Sequence, residues 1–61
     1  MKELKEMTRK ELAEVIVNDQ IKRGVVKPEK KDFQIKARLK GCGYLKAQSW
    51  MDLYESALAM I

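Results

Sequence analysis

Few side chains in this chain are able to do chemistry. Histidine is absent, and the single cysteine, Cys42, stands between Gly41 and Gly43. Carboxylates occur at helical spacing twice, Glu11 with Glu14 and Asp52 with Glu55, so each pair can share one helix face. Such pairs can serve general acid/base chemistry, but they are also the ordinary solvated side of an amphipathic helix, and that is the role expected here. There is no glycine-rich phosphate loop, nucleophile elbow or Cys/His set for zinc. Without histidine the most versatile proton carrier is missing too. The inventory predicts a protein that is not an enzyme, with no catalytic residue, no metal site and no cofactor, and Cys42 as a small turn residue.

The other chemistry available is the binding of phosphate. Nine of the thirteen basic residues fall between Lys22 and Lys46, opposed there only by Glu29 and Asp32, a net +7. Residues 1–21 carry −1 and residues 47–61 carry −2, so the overall +4 conceals a cationic centre. Concentrated positive charge acts on partners, and a phosphate backbone is the commonest of these. Lys27, Lys30, Lys31, Lys36, Arg38, Lys40 and Lys46 are the expected phosphate contacts. Gln34 and Gln48 can reach a base edge.

These groups must be held by elements whose ends are well marked. Thr8 and Glu11 have the spacing of a capping box. Leu12, Val15, Ile16, Val17 and Ile21 then form an apolar face, Lys22 and Arg23 fill a last turn that suits cations, and Gly24 supplies the stop. The spacing predicts a helix over 9–23, with Met7 as a hydrophobic staple before it. Pro28, with Glu29 and Asp32 after it, opens a second helix over 28–40 that Gly41 closes. Within that segment Phe33, Ile35, Ala37 and Leu39 alternate with Gln34, Lys36, Arg38 and Lys40, the period-two pattern of a half-buried strand. Propensity favours helix. Both readings stand on the sequence: an all-α domain of three helices, or an α+β domain with 33–39 as a strand paired across a dimer.

Gly41-Cys42-Gly43 reads as a turn, and the last helix can start at Tyr44 or be capped by Ser49 with Asp52. Trp50, Leu53, Tyr54, Ala57, Leu58 and Ile61 follow a full amphipathic stripe, widened by Met51, Ala59 and Met60. This helix is expected to be buried on most sides.

Each fold implies its own binding surface. Ala37-Arg38-Leu39-Lys40-Gly41 has the Ala-x-x-x-Gly spacing of a helix-turn-helix. On that reading a recognition helix begins within 44–49 and offers Lys46, Gln48 and Ser49 to double-stranded DNA. As a strand, Phe33–Leu39 resembles that of ribbon-helix-helix repressors over about seven residues. The resemblance implies a dimeric ribbon with Gln34, Lys36 and Arg38 facing a major groove. The order of elements departs from that family, in which two helices follow the strand; here one precedes it and one follows.

A 61-residue chain buries only about 60% of its unfolded surface, and no internal disulfide is possible, so oligomerisation, most simply a homodimer, is the expected extra stabilisation. The N-terminal MKELKEMTRK lacks the apolar core of a signal peptide. No run reaches the roughly 18 apolar residues of a membrane span. The lone thiol suits a reducing compartment, and a cytoplasmic location is expected. The first expectation for function is a small nucleic-acid-binding regulator on the scale of those of phages and mobile elements. The alternative is a protein-interaction module, an inhibitor or adaptor of a host protein, gripping through Trp50, Met51, Tyr54 and Met60, since aromatic and methionine side chains dominate such contacts.

Overall fold

The computed structural model describes residues 2–60. Three α-helices form, α1 Arg9–Lys22, α2 Lys31–Lys40 and α3 Trp50–Ala59, with one-turn 3₁₀ helices at Leu4–Glu6 and Pro28–Lys30. No strand occurs among the described residues. The all-α reading of the sequence therefore holds, and the strand alternative over 33–39 does not.

α1 is the organising element, because α2 and α3 both pack against it and scarcely touch each other. Leu12, Ala13, Ile16 and Val17 are fully buried along it, joined by Ile35 of α2 and by Leu53 and Ala57 of α3. Those four α1 positions sweep an arc of about 140° at 100° per residue. That is wider than a one-sided amphipathic helix needs, since two helices must be covered. Ala13 was no part of the predicted face; its small side chain lies where a neighbouring helix approaches.

The helix ends are satisfied locally, as the sequence indicates. The Thr8 hydroxyl accepts from the Glu11 amide at 3.2 Å, and the Glu11 carboxylate accepts from the Thr8 amide at 3.0 Å. At the other end of α1 the Val25 amide donates to Gln20 O and the Gly24 amide to Ile21 O. This is the paired pattern of a Schellman stop, and Gly24 adopts the φ of +79° that the motif requires. Ser49 and Asp52 form a second reciprocal box that starts α3.

The Thr8 amide, aided by Lys2, holds the Glu11 carboxyl below the usual glutamate value of 4.5. A carboxyl lowered on folding adds stability above its unfolded value and loses it as pH falls through the folded one. Glu11→Gln, which still accepts from the amide, is therefore expected to narrow the difference in melting temperature between pH 7 and about pH 3. Parallel thermal melts of both proteins followed by circular dichroism check this; an undiminished difference would remove Glu11 from the acid response.

The alternation in 33–40 has a tertiary cause. Ile35 and Leu39 join the core on α1. Ala37, on the other side of α2, is 8% exposed and lines a cleft with Leu45, Lys46 and Gln48. One helix is thus covered on two sides, by α1 and by the 41–49 segment, and two covered sides reproduce a strand-like period. Phe33, one turn before Ala37, remains 56% exposed.

α3 is less buried than its stripe suggests. Leu53 and Ala57 are buried, and Trp50, Tyr54 and Met60 pack on the core in part. Met51 and Leu58 stay 55% and 49% exposed, because α3 is packed on one side only, by α1 and the 3₁₀ turn at Leu4–Glu6. Ile61 lies outside the described residues.

Candidate nucleic-acid interface

The candidate interface is built on α2 and the turn after it. An α-helix leaves its last carbonyls without intrahelical partners and its C-terminus electronegative. In α2 these carbonyls are met by groups distant in sequence. Arg9 Nη2 donates to Leu39 O at 2.8 Å and to Gln48 O at 2.6 Å, and Arg9 Nε donates to the same Gln48 carbonyl at 3.1 Å. The Gln48 amide donates to Arg38 O at 2.9 Å. One guanidinium at the start of α1 thereby ties the end of α2 to the segment leading into α3.

The chain between them is tightly wound. Cys42 and Leu45 exchange both backbone hydrogen bonds, at 3.0 and 2.9 Å, across Gly43 and Tyr44. Gly43 has a φ of +59°, as the first central residue of a II′ turn requires. Gly41 is needed for space as well as conformation. A Cβ there would lie 2.7 Å from Leu45 O and 3.0 Å from the Ala47 amide, both backbone atoms.

This geometry separates the predicted phosphate contacts into two groups. Lys27, Lys30, Lys36, Lys40 and Lys46 are exposed, and Lys31 is half-buried. Among the described residues none of the six is in an ion pair; the only basic residue between Lys22 and Lys46 that is paired is Arg23, with Asp19. Arg38 is different. It is half-buried, its Nη1 donates to Gln48 Oε1 at 2.9 Å, and its Nε is buried without a partner. Burial pushes the guanidinium below its ordinary value, although it keeps its proton. Arg38 and Gln48 therefore hold the turn, and Arg38, unlike the six lysines, already gives one guanidinium edge to a contact within the fold. Gln34 lines the same cleft, of about 150 Å³, with Ala37 and Leu45 as its apolar wall.

Two basic residues escaped the sequence reading. Arg9 clamps α2 from a position 30 residues earlier, and nothing in its local pattern distinguishes it from any cation in a first helical turn. Lys10 shares with Lys31, Lys36 and Lys40 an open groove between α1 and α2, in which Glu14 and Asp32 also stand. Only the packing of the two helices brings them together.

The turn also decides the helix-turn-helix expectation. α2 and α3 are separated by residues 41–49, and 44–49 are not helical. The three-to-four-residue turn of that motif is therefore absent, and the first helical residue after it is Trp50. The helix that follows bears Asp52 and Glu55 and no cation, a poor match to a phosphate-lined groove.

The four expected interface residues divide as well. Trp50 is held in place, its Nε1 donating to Met7 O at 2.7 Å and its ring stacked on Tyr54 with centroids 4.9 Å apart. Met60 packs partly on the core. Of the four, only Met51 is exposed.

Arg9→Ala removes three hydrogen bonds to two carbonyls. Charge-assisted bonds contribute about 1.5–3 kcal/mol each when well desolvated, but these lie at the surface, so a total of about 1–2 kcal/mol is expected. Urea denaturation measures the loss, and amide hydrogen exchange should show 41–49 opening before α1; uniform protection across the chain would contradict the clamp.

No family model, curated protein or solved structure matches this chain. Among the described residues no helix is long and apolar enough to cross a membrane, and no cluster of potential ligands could hold a metal ion.

Proposed function

We propose that this protein is a small nucleic-acid-binding protein that docks on phosphates through α2 and its flanking segments. What carries the reading is the set of cations without partners: Lys27, Lys30, Lys31, Lys36, Lys40 and Lys46 are unpaired among the described residues, while Arg38 and Arg9 are consumed in building the fold. Six unpaired cations in 20 residues repel one another, so the folded domain carries an electrostatic cost that a polyanion relieves. Base readout is limited to Gln34, whose amide borders the cleft, and to the part of Gln48 that Arg38 leaves unbonded.

Titration of labelled oligonucleotides at several salt concentrations tests this. Affinity should fall log–log with salt, with a slope of about −0.9 per phosphate contacted on a duplex and about −0.7 on a single strand. Absence of binding to either at low salt removes the reading.

A second reading keeps one specific observation. Met51 and Leu58 are exposed on the same side of α3, next to Asp52 and Glu55, which suits a partner protein with an apolar and basic contact surface. Met51→Glu would then release such a partner without unfolding the domain.

A further inference from the structure

The two most exposed aromatic side chains both lie within the cationic segment. Phe33 is 56% exposed and Tyr44 is 95% exposed. The other two aromatics of the chain, Trp50 and Tyr54, are stacked on each other against the core. An exposed phenylalanine in a domain with so little core to spare is costly in water, at about 25 cal/mol per Å² of apolar surface left wet. Phe33 is flanked on one side of its helix by cations: Lys36 and Lys40, both exposed, stand three and seven residues after it. Tyr44 occupies the tip of the II′ turn, two residues before Lys46.

Aromatic faces among lysines match one chemistry closely. In a duplex the base faces are stacked on one another and only edges are offered, so an exposed ring has nothing to stack on. In a single strand every base has a free face, and stacking on aromatic side chains with the backbone tracked by cations is the usual solution. The element that would have read a duplex groove is missing, because 44–49 are not helical and α3 is acidic. The cleft that begins at Gln34, the residue after Phe33, has Ala37 and Leu45 as an apolar wall and Gln34, Arg38, Lys46 and Gln48 as a polar rim, the kind of lining that a splayed base requires.

We infer that the nucleic acid bound by this protein is single-stranded, with unpaired bases stacked on Phe33 and Tyr44 and the phosphates between them held by Lys36, Lys40 and Lys46. The inference rests on the nucleic-acid reading above and narrows its substrate class. It commits to unpaired bases, which single-stranded DNA and RNA share.

Fluorescence anisotropy with three probes of about 12 nucleotides, within the range of known single-strand sites, tests it: an oligothymidylate, an oligouridylate and a DNA duplex. One or both single strands should bind more tightly than the duplex, and which of them does identifies DNA or RNA as the source. Phe33→Ala and Tyr44→Ala should each weaken single-strand binding by roughly 5- to 100-fold, leave duplex binding unchanged, and keep the circular dichroism spectrum. Phe33→Trp should restore the loss. Preference for the duplex, or alanine variants that bind single strands as the parent does, overturns the inference while leaving phosphate docking intact. Loss of binding accompanied by a change in sedimentation coefficient would also overturn it, by assigning the rings to contacts between copies. No binding of any probe at low salt removes both readings together.

Discussion

Replacing Lys36 and Lys40 together by glutamate should abolish nucleic-acid binding at about 50 mM salt and leave the fold unchanged. Both side chains are exposed, and neither is in an ion pair among the described residues. The reversal therefore breaks no intramolecular contact that would unfold the protein. Like charges brought against a phosphate backbone cost several kcal/mol, so the fall in affinity should be on the order of 100-fold or more. The neutral pair Lys36→Gln and Lys40→Gln gives the graded result. If each lysine meets one phosphate, the magnitude of the salt slope should drop by about 1.4 to 1.8. Arg38, the third cation of the alternating run, does not belong in this experiment. Its guanidinium holds Gln48, so reversing it would disturb the turn and confuse loss of fold with loss of contact. Anisotropy titrations beside melting curves separate the two, and reversal of both lysines with unchanged affinity would exclude the outward side of α2 as the docking surface.

Leu53→Ala is expected to have the largest effect on stability. Leu53 is fully buried and, with Ala57, brings α3 into the core built on Leu12, Ala13, Ile16 and Val17 of α1. Truncating a buried leucine costs about 2–5 kcal/mol, according to how far the cavity collapses. A domain of 61 residues has about 3–9 kcal/mol in total, so the variant should lose on the order of half of its stability. Urea titration followed at 222 nm reads this directly. Met51→Ala, two residues earlier on the exposed side of the same helix, should change stability by no more than about 0.5 kcal/mol. If the two variants behaved alike, α3 would be seated on α1 with a different face.

Local chemistry was well legible. Thr8 with Glu11, Ser49 with Asp52, and Gly24 mark helix ends through bonds spanning three to five residues. Such bonds form wherever the sequence allows them, so spacing alone finds them. The alternating run over 33–40 was legible as a pattern but not as a structure. Period two arises from a strand with one wet face or from a helix covered on two sides, and nothing inside those eight residues distinguishes the cases. The turn over residues 41–49 decides between them by folding back over Ala37, and Gly41 makes that approach possible.

The candidate site divides along the same line. The sequence by itself determined that the positive charge is concentrated between Lys22 and Lys46, because charge is a property of composition that folding cannot move along the chain. It also marked the start of α1 through Thr8 and Glu11, and offered Ser49 with Asp52 as one of two starts for α3, while leaving 33–39 open between helix and strand. Only the tertiary structure decided which cations remain available to a partner. Arg9 and Arg38 have donors that reach carbonyl and amide oxygens brought near by the packing of α2 on α1 and the fold-back of 41–49, whereas the lysines around them form no ion pair among the described residues. The tertiary structure also left Phe33 and Tyr44 in water, since a core built on one central helix has room for only the side chains that face it.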